Sequence, residues 1–207
     1  MKPSEIGARY DRIARRWQEN THESYGMAQL ERAIDFVKNK SRALDVGCGS
    51  TGRFVGRMEQ GGFAADGVDV SAEMIVLARE RNPGAFFFVA DICEWELPHA
   101  YDLISAWDSI FHLPLESHEP VIRKLCAGLS PGGVLIFTCG GGGPGEIAGS
   151  FWGEDFEYST LGIEGFVQLL KDCGCDCRHV EYDQRPENHV YIIAQKPDDA
   201  ASDHSHI

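Results

Sequence analysis

The stretch ALDVGCGSTGRF, residues 43–54, decides the predicted fold. It begins with a short apolar run that is typical of a buried strand, and Gly47, Gly49 and Gly52 then follow the spacing G-x-G-x-x-G. A glycine turn between a strand and a helix lets the backbone approach a ligand closely, and the helix N-terminus offers free N–H groups. The stretch therefore predicts a site for a nucleotide-like ligand at the carboxyl end of a strand in an α/β sheet.

Short apolar runs alternate with amphipathic segments around this turn. The alternation predicts a parallel sheet with right-handed crossovers. Ser71 is a suitable N-cap, and the sequence Asn82-Pro83-Gly84 is a suitable helix stop because proline cannot continue a helix. We expect strands over residues 42–46, 64–69, 85–90, 101–107 and 134–139, helices over 52–60, 72–81 and 119–129, and a turn at 130–133.

The flanking segments carry further elements. Apolar residues at helical spacing between positions 10 and 37 predict two helices before the first strand. The segment GGGGPGEIAGSFWGEDFEY, residues 140–158, is glycine-dense and then aromatic and acidic, which predicts a long mobile loop and a candidate lid. A helix over 163–172 follows, and alternating segments at 177–184 and 189–195 predict a hairpin with an antiparallel strand.

Length and composition narrow the classes of protein. A chain of 207 residues with 43% hydrophobic residues predicts one domain with a sizeable core. The net charge of -13 would repel a nucleic-acid backbone, so we expect no nucleic-acid partner. The seven cysteines show no paired framework, which favours the reducing cytoplasm. The first residues lack the apolar core of a signal peptide, and no run approaches the roughly 18 apolar residues of a membrane helix, so we expect no membrane attachment.

Three aspartates stand at or near the ends of predicted strands. Asp69 ends the second strand, 20 residues beyond Gly49, where an acidic group would accept hydrogen bonds from ribose hydroxyls. NAD and S-adenosylmethionine both carry that ribose. Asp45 precedes Gly47 by two residues, and a carboxylate there would repel a pyrophosphate but suit a ligand with ammonium and sulfonium cations. Asp91, after the third strand, adds an acceptor for an adenine amino group, so the charges favour S-adenosylmethionine.

The three motifs that carry these residues resemble those of class I S-adenosylmethionine-dependent methyltransferases: DVGCGSTG at 45–52, GVDVS at 67–71 and VADI at 89–92. The resemblance covers roughly residues 42–195. It implies an α/β, Rossmann-like, doubly wound sheet of seven strands, mostly parallel with an antiparallel C-terminal strand, and helices on both faces.

The same resemblance implies roles for individual residues. The segment YDRIARRW is similar to the opening of many small-molecule members, in which an N-terminal helix closes over the cofactor. The implied cofactor contacts are Gly47 and Gly49 on the methionyl part, Asp45 toward its amino group, Tyr10 at its carboxylate end, Asp69 on the ribose, Asp91 and Ile92 at the adenine, and Val70 and Met74 flanking the ring.

The segment WDSIFHLP, residues 107–114, follows the fourth strand, where the donor methyl group meets its acceptor in this fold. Trp107 is therefore a candidate cofactor contact, and Asp108 and His112 are candidate catalytic residues. The pKa of a histidine lies near the working pH, so His112 is suited to accept a proton. A purely structural role stays open for both candidates. The segment also differs from the N/D-P-P-Y/F pattern that holds planar amino groups of bases.

Two other clusters have alternative interpretations. Cys173, Cys175 and Cys177 alternate without a fourth ligand, so we predict no metal site. The arginines at positions 9, 12, 15 and 16 form either a solvated helix face or a patch that steers an anionic substrate.

The sequence as a whole predicts an enzyme that transfers the methyl group of S-adenosylmethionine to a small or medium-sized acceptor by in-line displacement, with S-adenosylhomocysteine as product. Two alternatives stay open: a non-catalytic S-adenosylmethionine-binding module and a nucleotide-cofactor oxidoreductase. We expect a helical cap at residues 1–40, a methyltransferase domain at 41–197 and a disordered tail at 198–207. The predicted partner is a small-molecule acceptor and the predicted location is the cytoplasm; the sequence identifies neither the acceptor nor the oligomeric state.

Overall fold

The computed structural model describes residues 1–198, so all of the predicted tail except Asp198 lies outside the described residues. Within that part the chain forms nine strands. They are β1 Arg42–Val46, β2 Ala64–Asp69, β3 Phe86–Val89, β4 Tyr101–Ala106, β5 Leu129–Gly140, β6 Gly145–Phe151, β7 Glu154–Thr160, β8 Asp176–Tyr182 and β9 His189–Gln195.

Seven of the strands form one sheet in the order β3-β2-β1-β4-β5-β9-β8. Strands β1 to β5 pair in parallel, whereas the C-terminal strand β9 runs antiparallel between β5 and the edge strand β8. The predicted fold class is therefore confirmed, with the antiparallel strand one place in from the edge. All six residues of β4 are buried, as expected of a central strand covered on both faces.

Six α-helices of the described residues connect and cover these strands: α1 Pro3–Asn20, α2 Met27–Phe36, α3 Arg53–Gln60, α4 Ala72–Arg81, α5 His118–Ala127 and α6 Gly162–Asp172. The Ser71 hydroxyl caps α4 by accepting from the Met74 N–H group at 3.1 Å, as its sequence position predicts. Helix α2 buries Leu30, Ala33 and Ile34 in the core beneath the sheet. Of the two N-terminal helices, α1 is thus the one that covers the cleft described below.

The prediction of a separate turn at residues 130–133 is wrong. The structure includes these residues in strand β5, which starts at Leu129. The pairing of β4 with β5 shifts register there, from Tyr101 opposite Leu129 to Leu103 opposite Val134. The extra residues are accommodated as an irregularity in the pairing, which a proline and two glycines tolerate.

The predicted mobile loop at residues 140–158 is also wrong, because most of it forms the antiparallel hairpin of β6 and β7. Trp152 and Gly153 connect the arms with φ angles of 51° and 89°. Positive φ at both central residues is the geometry of a two-residue hairpin turn, which usually contains asparagine, aspartate or glycine. The sequence did not indicate this turn because tryptophan rarely adopts a positive φ.

This hairpin packs against helix α1. Phe156 is buried with Ile6 and Ile13 of the helix, and Arg12 binds both carboxylate oxygens of Glu154, at 2.7 and 2.5 Å. The guanidinium of Arg16 lies 4.7 Å from the centre of the Trp152 ring. Arg12 and Arg16 of α1 therefore contact the hairpin, and aromatic residues of the hairpin pack on α1. No helix within residues 1–198 combines the length and apolar character needed to cross a bilayer.

Candidate active site

One cleft lies at the carboxyl ends of β1 to β4, where the sheet order changes direction between β1 and β4. Ligands of open α/β sheets bind at this position because the two diverging crossovers leave a crevice. The cleft encloses about 920 Å³, its open mouth included. Pro3, Ile6, Tyr10 and Trp17 of helix α1 form part of its wall.

The structure brings eleven of the twelve predicted site residues into the wall of this cleft. They are Tyr10, Gly47, Gly49, Asp69, Val70, Met74, Asp91, Ile92, Trp107, Asp108 and His112. Their chain positions span a hundred residues, yet each follows or covers one of the four strand ends. The roles of these residues stay predictions.

Asp45 is the exception, because the structure does not place it in the cleft wall. Its side chain belongs to β1, is 4% exposed and does not line the cleft. One carboxylate oxygen accepts the Ser105 hydroxyl of the neighbouring strand β4 at 2.5 Å. Burial raises the pKa of Asp45 to about 6, although Ser105 and the Arg53 charge oppose the rise. Its proximity in sequence to the glycine turn did not reveal that it sits inside the sheet.

Asp69, the last residue of β2, connects two backbone segments at the carboxyl end of that strand. One carboxylate oxygen accepts the Gly49 N–H group at 3.0 Å, and the other accepts the Ser71 N–H group at 2.9 Å. Burial raises the pKa of Asp69 to about 6, and the two backbone donors act in the opposite direction. Asp69 thus fixes the glycine turn relative to the start of α4. Each oxygen keeps a further lone pair for a ligand.

The glycine turn itself is held by hydrogen bonds to the adjacent strand. The N–H groups of Gly47 and Cys48 both donate to the Val68 carbonyl oxygen, at 2.7 and 3.1 Å. Gly52 adopts a left-handed conformation as the N-cap of α3, so the third glycine of the motif starts the helix. A Cβ atom at Gly49 would meet nothing closer than Trp17 Nε1 at 3.8 Å, so the turn opens into the cleft.

Just beyond the end of β4, Asp108 is held by three side chains, those of Thr138, Tyr25 and His189. Its backbone has a positive φ of 51°, and its N–H group donates to the Thr138 hydroxyl at 2.8 Å. Its carboxylate accepts the Tyr25 hydroxyl at 2.6 Å and contacts His189 Nε2 at 2.7 Å. A strained backbone that several contacts maintain is common at functional sites.

His189 in turn bridges Asp108 to Asp183, whose carboxylate lies 2.6 Å from His189 Nδ1. Burial lowers the pKa of His189, but hydrogen bonds and charge from the two carboxylates raise it by more, so the net shift is upward. Sequence reasoning did not find Tyr25, Asp183 or His189. They reach Asp108 from distant parts of the chain, and no local motif marks them.

His112 connects the cleft to both covering elements. Its Nδ1 lies 3.1 Å from the Glu157 carbonyl oxygen, which only accepts, so Nδ1 carries the proton. Nε2 therefore accepts the Tyr10 hydroxyl at 2.8 Å. Burial lowers the pKa of His112 to about 4, which keeps the imidazole neutral at pH 7. Burial also raises the pKa of Tyr10, so its hydroxyl stays protonated.

Arg53 also lines the cleft and was missed by sequence reasoning. It is the first residue of α3 and directly follows the third glycine of the motif. Its position beside the glycine turn was the available signal. Tyr25 is a further wall residue that the sequence did not indicate, whereas Trp17 closes the segment YDRIARRW, whose helix the sequence predicted to cover the cofactor.

The three alternating cysteines form no candidate metal site. Within residues 1–198 no group of three or more His, Cys, Asp or Glu side chains is arranged to hold a metal ion. Cys175 is buried, whereas Cys173 and Cys177 are half-buried, and all three are free thiols.

Comparisons with known proteins agree with this geometry. A family model described as a methyltransferase domain matches residues 43–133. Trans-aconitate 2-methyltransferase of Escherichia coli is 30% identical over 176 residues, which cover 75% of this chain and 66% of that protein. Phosphoethanolamine N-methyltransferase of Plasmodium falciparum is 27% identical over 170 residues, which cover 75% of this chain and 62% of that protein. The chain therefore spans less than two thirds of the length of either relative.

Solved structures share the fold. The crystal structure of magnesium protoporphyrin IX methyltransferase from Synechocystis with bound S-adenosylmethionine superimposes with a TM-score of 0.68. The two chains are 16% identical, and the superposition covers 95% of this chain and 98% of the other. At this identity the similarity establishes the arrangement of helices and strands.

Proposed function

Because the chain belongs to the class I S-adenosylmethionine-dependent methyltransferases, we propose that it transfers the methyl group of S-adenosylmethionine to a small or medium-sized acceptor. The observation that carries the proposal is the cleft at the point where the sheet order changes direction, with Asp69, Asp91 and Asp108 in its wall. Three carboxylates there favour a cationic ligand over a diphosphate. S-adenosylmethionine, when bound, supplies a methyl carbon attached to a positively charged sulfur.

The residues of the cleft fit this cofactor. The turn at Gly49 opens into the cleft, and a side chain at that position would occupy ligand space. Asp69 keeps free lone pairs for the ribose hydroxyls, and Asp91, which accepts the Cys93 N–H group at 2.9 Å, keeps others for the adenine amino group. Val70, Met74 and Ile92 supply apolar surface for the adenine ring.

Asp108 and His112 lie at the acceptor end in this proposal. His112 is neutral at pH 7, and its Nε2 atom already accepts a proton donor, Tyr10. The carboxylate of Asp108 is oriented by Tyr25 and His189. We assign to these two residues the orientation of the acceptor and the acceptance of its proton, for which the acceptor replaces the Tyr10 hydroxyl at Nε2, the ring nitrogen of His112 that carries no proton. Alignment of an acceptor with a methyl carbon supplies several kcal/mol of the acceleration in such reactions.

The relatives support a small acceptor. Their names give phosphoethanolamine in one case and trans-aconitate in another, which are different chemical classes. We therefore propose a small-molecule acceptor without naming its reactive atom. The free thiols of the described chain support a reducing compartment such as the cytoplasm.

Isothermal titration calorimetry with S-adenosylhomocysteine and NADH tests the proposal. We expect S-adenosylhomocysteine to bind and NADH not to bind, because the cleft carboxylates repel a pyrophosphate. Methyl transfer from labelled S-adenosylmethionine is then measured over phenols, thiols, amines and carboxylates, with at least one class expected to be methylated. Tight NADH binding would instead favour an oxidoreductase. Cofactor binding without transfer to any class would favour a non-catalytic module.

Lowering the pH from 7 to 5 is expected to weaken S-adenosylhomocysteine binding about tenfold. Burial raises the pKa of Asp69 to about 6, so its carboxylate is ionised above that pH and loses its charge below it. The ionised form accepts ribose hydroxyls and attracts the ligand's ammonium group, so affinity falls as the pH passes below 6.

Calorimetry at half-unit steps of pH measures this dependence. His112, with a pKa of about 4, stays neutral between pH 5 and 7 and does not contribute to the change. The Asp69→Asn variant is the control, and its profile should be flatter. An affinity that does not change between pH 5 and 7 in the wild-type protein would contradict the prediction.

A further inference from the structure

Arg53 has an unusual position for a cation. It is the first residue of helix α3, whose N-terminus carries the positive end of the helix dipole. A positive side chain gains nothing from the helix at that position. The side chain is half-buried and lines the cleft. Its placement therefore calls for a negative partner elsewhere.

The guanidinium of Arg53 has little hydrogen bonding to the protein. Its Nε donates to the Tyr25 carbonyl oxygen at 3.1 Å, and within residues 1–198 this is its only hydrogen bond. Its Cζ atom lies 5.5 Å from the Tyr25 ring centre and 5.1 Å from that of Phe54. By contrast Arg57, one turn further along the helix, binds the carboxylate of Glu31 through Nε and Nη2. The Nη1 and Nη2 groups of Arg53 thus make no hydrogen bond to the part of the chain that the structure describes.

The charges around Arg53 define what it can bind. Burial lowers its pKa, while Asp45 and Asp108, in that order, act to raise it. Arg53 is the one lysine or arginine among the described residues of the cleft wall, where Asp69, Asp91 and Asp108 supply negative charge. It stands beside the glycine turn at the β1 end, whereas Asp91 follows β3, two strands away. A ligand with a carboxylate at one end and an adenosyl group at the other matches this distribution.

We propose that Arg53 binds the α-carboxylate of the methionyl part of the cofactor through its two unused Nη groups. The inference rests on the proposed function and extends it by assigning the residue that recognises the amino-acid end. A planar guanidinium pairs with a carboxylate through two parallel hydrogen bonds, which gives both strength and orientation. The methyl-bearing sulfur is three bonds beyond the α-carbon, so fixing the carboxylate also fixes the position of the reacting group.

The test compares S-adenosylhomocysteine with 5′-methylthioadenosine, which keeps the adenosyl thioether but lacks the amino-acid group. We expect Arg53→Gln to weaken S-adenosylhomocysteine binding at least tenfold in calorimetry, the loss typical of hydrogen bonds between charged groups. Binding of 5′-methylthioadenosine should change less than twofold. Arg53→Lys should recover part of the loss, because it keeps the charge without the paired geometry.

Arg57→Gln is the matched control on the same helix and should bind both ligands as the wild type does. Retained binding of 5′-methylthioadenosine shows that the Arg53 variant still folds. The inference is overturned if Arg53→Gln binds S-adenosylhomocysteine normally, as it would if Arg53 served an acceptor carboxylate. It is also overturned if both ligands weaken equally. A wild-type protein that binds neither ligand would overturn the proposed function and this inference with it.

Discussion

Replacing Gly47 with alanine is expected to lower the thermal midpoint of the ligand-free protein by roughly 5–15 °C. Gly47 has a φ of +73°, which costs an L-residue about 1–2 kcal/mol. The added Cβ would also overlap the Cβ of Ser109, whose hydroxyl donates to the Val46 carbonyl oxygen at 2.7 Å. Overpacking of this kind costs about 1–3 kcal/mol more. The loss should therefore total roughly 2–5 kcal/mol.

Gly62→Ala separates the two contributions to that loss. Gly62 also has a positive φ, +96°, but a Cβ there would meet nothing within 4 Å. The thermal midpoint of the Gly62→Ala variant should therefore fall by only about 2–8 °C, which is the effect of the positive φ alone. Thermal unfolding followed by circular dichroism measures both variants. Equal shifts would show that Ser109 moves aside without cost, and the steric part of the argument would then be wrong.

The contrast between these glycines explains why part of the fold was predictable. Positive φ and helix capping are local requirements, so Gly47, Gly52 and Ser71 mark the ends of elements directly in the sequence. An acidic residue at the end of a strand can likewise be recognised within a short stretch of sequence. Because parallel strands end at one edge of a sheet, placing the strands also places Asp69 and Asp91 in one cleft.

The features that were missed depend on contacts between distant segments. Asp108, His189 and Asp183 are brought together only when the C-terminal hairpin pairs beside β5, and none of them lies in a recognisable motif with another. The hairpin of β6 and β7 was mistaken for a loop because its turn uses Trp152, which is held by packing against Trp17 of α1, with ring centres 5.9 Å apart. Tertiary packing there outweighs the local preference of the residue.

Asp45 shows the limit of reasoning from spacing alone. It precedes Gly47 by two positions, yet its carboxylate lies inside the sheet against Ser105, while Arg53, six positions beyond Gly47, lines the cleft. Side chains of a strand alternate in direction, and the backbone turns sharply at the glycines. The residue in contact with the cleft is therefore decided by the turn geometry and not by the distance along the chain.

Replacing Asp69 with asparagine is expected to weaken S-adenosylhomocysteine binding about 10- to 150-fold, the range for losing a hydrogen bond to a charged group. The carboxylate accepts from Gly49 and Ser71 through different oxygens, and the proposed ribose hydroxyls use the remaining lone pairs. An asparagine has one acceptor oxygen, so its NH₂ group would face a backbone donor. The substitution thus removes the ribose contact and loosens the glycine turn together.

Asp66→Asn provides the matched control for this prediction. Asp66 lies on the same strand, is 5% exposed and accepts the Tyr101 hydroxyl at 3.1 Å, but it does not line the cleft. The identical chemical change there should leave the dissociation constant of S-adenosylhomocysteine within twofold of the wild type. Since both substitutions replace a carboxyl group of β2 by an amide, a general effect of that change would weaken the two variants alike. Wild-type affinity in Asp69→Asn would mean that the carboxylate of Asp69 serves only the backbone, and the cofactor would then have to be held by other groups of the cleft.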